Sequence, residues 1–400
     1  FELCIRKRDI HPAFVELTTV VLYKGKGNPL WLENWRPIAL VKTIYKIFSS
    51  LITDALSEYL KRHHILSWEQ EGFQALKRAQ RLTSALWIKL DLLQGLQRPF
   101  IGVHTDFYGA YPSMEHKILR LVLEWLGLPL DFITLVFNVY AHAVTTVLTA
   151  VGTTRPVAWL RGTLQGDPLS CLLFLCYVEP LLRWLKAAIP PSRLIWEAEL
   201  AAAYMFVDDL QSLLTSTEAF QTFSSIMEQW SDWVRMIIRQ EKGCAFFFTS
   251  RDLRGLRADA RARMWLRTIG DASLQDQNYH LLAKGEVYVV LGFGYSVGQD
   301  WRPIWHALFQ KLDGRVQKMV ASVASTEQNV RFIWETITGT LNYTCVECPM
   351  FPATALLAID PAFFRWSKQL LGLGRRDSIA REVVLNPTKQ GSMNLTISSV

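Results

Sequence analysis

The sequence predicts an α+β fold, and three observations predict it. Helical segments with a 3.6-residue apolar period alternate with short apolar strands. The strands come in close pairs, at about 144–160, 201–215 and 286–297, as antiparallel hairpins do, whereas a doubly wound sheet sets a helix after each strand. Of the 400 residues, 50% are hydrophobic, 12% aromatic and 20% charged, a composition that fills packed cores in two or three subdomains.

The elements follow in order. Residues 15–24 (VELTTVVLYK) form a strand, and the Gly, Lys, Asn and Pro of Lys24–Pro29 turn the chain. Residues 41–62 and 79–95 are amphipathic helices. Residues 100–105 form a short strand that delivers Asp106. A helix runs from about Glu115 to Leu126 and is stopped by Gly127 and Pro129. After the hairpin at 144–160, Asp167 caps a long apolar helix with Pro168 at its first position, bounded downstream by Pro190-Pro191. Two strands, 201–207 and 210–215, meet at Asp208-Asp209. A helix over 217–236, a strand over 244–249, the hairpin at 286–297 and a mostly helical last hundred residues complete the chain.

Charge and cysteine usage bound the partners. The net charge of +7 and the pI near 9.1 suit an anionic partner. Cys4, Cys171, Cys176, Cys244, Cys345 and Cys348 build no disulfide framework, which indicates a reducing compartment. Cys171, Cys176 and Cys244 sit in apolar stretches, as buried thiols do. Cys345 and Cys348 form a CxxC pair with no further ligands to complete a zinc site. The stretch from Phe132 to Thr154 carries no charge, but its second half is β-branched and ends at Gly152, so it reads as helix then strand, not as a membrane span. The chain opens on Phe1 without a secretory signal pattern, which is expected of a piece of a longer protein in the nucleus or cytoplasm.

Three segments carry chemistry. In AAAYMFVDDLQSLLTS (201–216), two adjacent carboxylates stand between apolar strands with no neighbouring Lys or Arg. Like charges so placed repel, and a divalent cation relieves them. In FIGVHTDFYGAYPSMEH (100–116), Asp106 closes an apolar strand and Tyr111 follows five residues on, after Gly109-Ala110. Between the two lies RGTLQGDPLSCLLF (161–174), where Gly162 and Gly166 permit close backbone approach and Gln165 offers both a donor and an acceptor. Each segment alone has an ordinary structural explanation. An Asp, then Gln-Gly before a Pro-started helix, then a strand-turn Asp-Asp is a far more specific order.

In that order the three resemble palm motifs A, B and C of reverse transcriptases, above all those of non-LTR retrotransposons. FVDD (206–209) is similar to the aromatic-x-Asp-Asp box, RGTLQGDPLS to motif B, and DFYGAYPSMEH to motif A. LYKGKGNPLWLENWRPIALVKTIYKI (22–47) resembles the fingers segment, and EQEGFQALKRAQRLTSAL (69–86) the Q-x-G-F segment that follows it. MIIRQEKGCAFF (236–247) is similar to motif D, and VVLGFGYS (289–296) to the leucine-glycine primer grip. The resemblance covers about 12–300 and becomes loose beyond.

It implies a right-hand polymerase, with fingers over 1–99, a palm with an antiparallel sheet over 100–298, and a helical thumb over 299–400. It implies RNA-directed DNA synthesis with two magnesium ions, manganese being a substitute, on an RNA template, a DNA primer and deoxynucleoside triphosphates. Asp106 and Asp208 become metal ligands with the Phe107 carbonyl, and Asp209 supports them. Arg36, with Lys24 or Lys26, holds the triphosphate, and Lys242 protonates the leaving pyrophosphate. Lys77 and Arg78 are further fingers contacts. Gln165, Gly166 and Phe107 border the nucleotide, and Tyr111 packs where a ribose 2′-hydroxyl would lie, favouring deoxynucleotides. Lys61 to His64, and the stripe of Arg251, Arg254, Arg257 and Arg261, are either phosphate tracks or solvated helix faces.

Pro112 stands where motif A continues with Asp, Arg239 replaces an Asn of motif D, and Asn386–Val400 match nothing in the family. The alternative reading is a catalytically decayed nucleic-acid-binding relative. An RNA-dependent RNA polymerase is disfavoured by Phe206-Val207 and Tyr111. No endonuclease is visible, and no membrane partner is expected; further domains of the same polyprotein are expected outside this piece.

Overall fold

The computed structural model describes residues 1–25, 27–74, 77–149, 151–164, 166–195, 198–248, 280–282, 286–296, 300–346, 351, 355 and 357–373. Along them run α1 (Glu2–Lys7), β1 (Glu16–Tyr23), β2 (Trp35–Leu40), α2 (Thr43–Arg62), α3 (Ala79–Gly95), β3 (Phe100–Phe107), α4 (Ala110–Ser113), α5 (His116–Trp125) and α6 (Leu130–His142). Next come β4 (Val144–Thr149), β5 (Gly152–Thr153), β6 (Val157–Ala158), α7 (Pro168–Ala188), β7 (Ser192–Ile195), β8 (Ala198–Leu200), β9 (Ala203–Phe206), β10 (Asp209–Leu214), α8 (Thr217–Val234) and β11 (Ile238–Phe248). The short β12 (His280–Leu281), the hairpin β13 (Val287–Val290) and β14 (Phe293–Ser296), and helices at Trp301–Val320, Thr326–Phe332 and Ile359–Leu370 follow. Helices and antiparallel pairs alternate as the sequence predicts. The uncharged stretch is α6 followed by β4, helix then strand.

These residues divide into two compact units. The first holds Phe1–Lys77 and Phe100–Ala245 and contains two sheets. One has the order β2-β1-β4-β5 with β6 also on β4, and the other β12-β11-β3-β10-β9. β1 pairs antiparallel with β2 and parallel with β4, Glu16 facing Val144 across 128 positions of sequence. The alternating hairpins gave no hint of that parallel pair.

At the core of this unit lies α7. Leu172 to Val178 are all buried, and the helix packs against α2, α5 and α8. Each fully buried Leu or Phe contributes about 1.5–3 kcal/mol. By length and composition α7 could cross a membrane, but 72% of its most apolar stretch is buried inside the protein, as in the core helix of a soluble fold. Pro168 stands at its first position as expected, and Ile189 follows its last turn. Asp167 occupies the N-cap without a side-chain cap bond. Its buried carboxylate takes the Tyr45 hydroxyl at 3.2 Å and that of Ser49 instead. Both hydroxyls come from α2, so the residue that starts α7 also ties it to α2.

Cys176 and Cys244 are buried, whereas Cys171 is half-exposed, because α7 turns its first-turn face outward there. Cys348, the arginine stripe at 251–261 and the segment 386–400 lie outside the described residues.

The second unit gathers Arg78–Pro99 with the described residues from Leu281 onward. The Tyr295 hydroxyl of β14 donates to the Thr83 carbonyl of α3 at 2.9 Å, and its ring meets Trp87 at 6.0 Å. Trp305, Phe309 and Trp366 continue the aromatic packing among the C-terminal helices.

Candidate active site

The carboxylates sit on the central strands of the second sheet. β3 is buried at every position and extends through Asp106 to Phe107, past the strand end at 105 that the sequence suggested. β10 pairs with it antiparallel, Leu210 opposite Thr105 and Gln211 opposite His104, so the next step of the register runs from Asp209 toward Asp106. Side chains on a strand alternate between faces, so Asp106 shares its face with His104, and Asp209 shares its own with Gln211. The buried Gln211 amide and His104 imidazole hydrogen-bond to each other across the strands.

Asp208 is delivered by a two-residue turn. Phe206 pairs with Asp209, which leaves Val207 and Asp208 as the loop; Asp209 thus opens β10 instead of sharing the turn. Tight hairpin loops of this length need positive φ at the first loop position. Val207 has φ 60, which for a β-branched residue costs about 1–3 kcal/mol. Asp106 is buried, while Asp208 and Asp209 are half-buried.

Tyr111 sits beside them. Its ring stacks on Phe174 of α7, and its hydroxyl is hydrogen-bonded with the Cys171 thiol. Burial, then Cys171, then the nearby Asp208 carboxylate push its ionisation far above the usual phenol range. That last influence places the tyrosine hydroxyl within electrostatic reach of Asp208. Phe107 is buried and packs its ring against Trp230 at 5.5 Å.

The Gly162–Gly166 loop locks onto this motif. Gly162 N–H donates to the Met114 carbonyl at 2.8 Å, and Thr163 N–H to the Tyr111 carbonyl at 3.2 Å. The Gly162 carbonyl lies 2.8 Å from His116 Nε2 and accepts from Trp159 Nε1 at 3.1 Å. A Cβ on Gly162 would fall 2.7 Å from the Pro112 Cα, and one on Gly166 2.7 Å from the Ala39 carbonyl of β2. Gly166 thereby joins the loop to the strand that carries Arg36.

Arg36 and Lys24 are exposed on the β1–β2 hairpin, in the other sheet from the aspartates. Lys26, Gln165 and the Lys242 side chain lie outside what the structure describes. Lys61 to His64 are exposed at the end of α2, with Arg62 paired to Glu58 at 3.6 Å. The Lys77 ammonium donates to the Trp68 and Gln70 carbonyls at 3.0 and 2.7 Å.

Two residues escaped the sequence reading. Arg161 donates to the Ser113 and Arg235 carbonyls and pairs with Glu115 at 3.2 Å, tying motif B to motif A. Its signal was its place ahead of Gly162. Gln70 bonds both backbone groups of Val207, at 2.9 and 3.4 Å; its signal was the Q-x-G spacing with Gly72.

Residues 23–282, more than half of the chain, match the model of the family described as reverse transcriptase (RNA-dependent DNA polymerase). The chain is 27% identical over 216 residues to the retrovirus-related Pol polyprotein from type-1 retrotransposable element R2 of Nasonia vitripennis, covering 54% of this chain and 20% of that protein. It is 25% identical over 241 residues to the transposon TX1 uncharacterized 149 kDa protein of Xenopus laevis, covering 57% of this chain and 18% of the other. It thus spans about a fifth of these relatives. Among solved structures, telomerase from Candida albicans in complex with a fragment of telomeric RNA aligns with 93% of this chain and 63% of its own, at 9% identity and a TM-score of 0.44. The chain belongs to the reverse transcriptase (RNA-dependent DNA polymerase) family, and its mixed helix-and-sheet architecture is that family's right-hand polymerase fold.

Proposed function

We propose that this chain is the polymerase core of a non-LTR retrotransposon protein, which extends a DNA primer with deoxynucleotides on an RNA template. The observation that carries this reading is the register that runs from Asp209 toward Asp106, beside a turn presenting Asp208 near Tyr111.

The family uses divalent metal, and the residues fit it. Among the described residues no group of three or more His, Cys, Asp or Glu side chains gathers to hold an ion by itself. A small set of carboxylate oxygens suits magnesium, which binds through one or two carboxylates and leaves other positions to water and phosphate oxygens. Asp106 and Asp208, with the Phe107 carbonyl, would hold two such ions, with Asp209 behind them. Held there, the ions would supply activation of the primer 3′-hydroxyl and charge neutralisation at the α-phosphate.

The chain's own residues do the rest. Arg36, with Lys24 or Lys26, would bind the triphosphate from the β1–β2 hairpin, a guanidinium being a bidentate phosphate partner. Gln165 and Gly166 would border the base and sugar. Tyr111, held by Phe174, would fill the space of a 2′-hydroxyl. Lys242, on β11 beside β3, would give a proton to the leaving pyrophosphate. A decayed copy is not favoured, since Asp106, Asp208 and Asp209 are all retained in the sequence. The wider protein would add domains outside this piece and act inside the cell.

Primer extension on an RNA template with magnesium tests the proposal, comparing wild type with Asp208→Ala and deoxynucleotides with ribonucleotides. DNA synthesis that vanishes in a folded Asp208→Ala protein is the expected result. No synthesis by folded wild type, or full synthesis by the variant, overturns it.

A further inference from the structure

The Val207–Asp208 turn has a specific mechanical problem. Val207 is buried yet sits in a left-handed conformation that its branched side chain resists, and both of its backbone polar groups need partners. A turn left to itself would relax, and Asp208 would move with it.

Gln70 solves this from outside the hairpin. Its Oε1 accepts from Val207 N–H at 2.9 Å, and its Nε2 donates to the Val207 carbonyl at 3.4 Å. The same Oε1 accepts from Gly72 N–H at 2.9 Å, which fixes the orientation of the amide. The residue is fully buried. Only a carboxamide offers an acceptor and a donor at this reach without adding charge beside the aspartates. Gly72 is needed for the approach, since a Cβ there would fall 2.5 Å from Val207 Cγ2 and 2.8 Å from its nitrogen.

The segment carrying Gln70 is anchored in turn. It lies along the edge of β9, with Glu71 N–H donating to the Met205 carbonyl at 2.7 Å and Met205 N–H to the Glu69 carbonyl at 2.9 Å. The Gln70 carbonyl accepts from Lys77 Nζ at 2.7 Å and from Gln74 Nε2 at 2.6 Å. Lys186 of α7 pairs with Glu69 at 3.0 Å, and the buried Glu179 accepts both the Ser67 amide at 3.0 Å and its hydroxyl at 2.5 Å. The brace therefore hangs on α7, the most buried helix of the unit.

We propose that Gln70 is a positioning residue of the polymerase site, its carboxamide holding Val207 left-handed so that the turn presents Asp208 for metal binding. This rests on the polymerase reading for its kinetic test, but not for its structural one. The variants are Gln70→Met, close in shape but without the polar pair, Val207→Gly, which takes positive φ without strain, and the double variant.

Hydrogen exchange over the 204–209 segment comes first. Gln70→Met is expected to exchange about tenfold faster there, as loss of a buried hydrogen bond implies, with α7 unchanged. Unchanged exchange at the turn overturns the proposal even if no variant polymerises. Manganese titration by electron paramagnetic resonance and the magnesium dependence of primer extension come second. Half-saturation is expected to rise about tenfold with little change in the deoxynucleotide KM, and the effect of Gln70→Met is expected to be smaller in the Val207→Gly background. Equal effects in both backgrounds, or an unchanged metal requirement, overturn the positioning role. Inactive wild type with the expected exchange and manganese results overturns the polymerase reading alone.

Discussion

The Tyr111 ring lies flat against Phe174, 4.7 Å between centroids and 19° between planes. Stacking and the Cys171 hydrogen bond leave the ring little rotational freedom, so it can exclude volume and not merely occupy it. A Tyr111→Val variant is expected to incorporate ribonucleotides about 10–200-fold better relative to deoxynucleotides, the range by which an apolar pocket discriminates small groups. Single-nucleotide extension with matched dNTP and rNTP measures this. Phe174→Ala is expected to shift selectivity the same way by a smaller factor, since the ring remains but loses its support. Unchanged sugar selectivity in both variants removes the gate.

Gly162 joins motif A to motif B through close backbone packing, with the His116 ring on its carbonyl. An added Cβ would meet the Pro112 Cα at 2.7 Å and the Pro112 and Tyr111 carbonyl oxygens at 2.9 Å, and its φ of +76 disfavours any L side chain. Backbone cannot swing aside as a long side chain can. Gly162→Ala is expected to cost about 2–4 kcal/mol from overpacking and left-handed strain together. Urea unfolding measures it, and a cost within error of zero would mean the loop moves freely against Pro112.

The sequence made the local part of this architecture legible and not the long-range part. The two apolar runs on either side of Asp208-Asp209 located β9 and β10, because a polar turn between apolar runs is a local signal. Asp106, Asp208 and Asp209 followed from the order of three motifs. The parallel pairing of Glu16 with Val144 left no trace, because partners so distant are chosen by packing. The bonds of Lys77 to the Trp68 and Gln70 carbonyls are likewise invisible in the sequence, because residue type does not show which carbonyls a side chain reaches. Asp167 carries an N-cap pattern, but hydroxyls from another helix took its carboxylate. Gln70 stood in a quoted motif, but its purpose lies in the strain of Val207, a property of φ that no residue type announces.

Asp167 also makes stability depend on pH. Burial pushes its carboxyl up to about 6, although the Ser49 and Tyr45 hydroxyls pull the other way. A carboxyl that binds its proton more tightly when folded favours the fold at low pH. Stability from this group is therefore greatest below the unfolded value near 4 and is lost as pH rises toward 6. The two-unit span corresponds to about 3 kcal/mol at most. Asp167→Asn removes the charge and keeps an acceptor oxygen for one hydroxyl, while its NH2 faces the other, whose oxygen can accept. Urea midpoints from pH 4 to 7 are expected to fall less for the variant than for wild type, making it the more stable protein at pH 7. Parallel profiles would show that Asp167 keeps an ordinary pKa.

The β13–β14 turn repeats the solution found at the aspartates. Leu291 and Gly292 have φ 51 and 86, and two positive values are what a tight two-residue hairpin loop demands. Leu291 is the strained member. The Tyr343 hydroxyl donates to its carbonyl at 2.7 Å, while the Tyr343 ring packs on Phe293 at 4.5 Å and would lie 3.2 Å from a Cβ on Gly292. The turn resembles the primer grip, so its rigidity should govern how the primer end is held. Tyr343→Phe removes one hydroxyl and is expected to destabilise the turn by about 1 kcal/mol, the net worth of a single hydrogen bond. A turn that serves the primer responds with a severalfold rise in the KM for primer-template and little change in maximal rate. A turn that serves only the fold lowers the unfolding midpoint and leaves that KM alone. Steady-state extension with primer-template as the varied substrate, run beside thermal unfolding, separates the two.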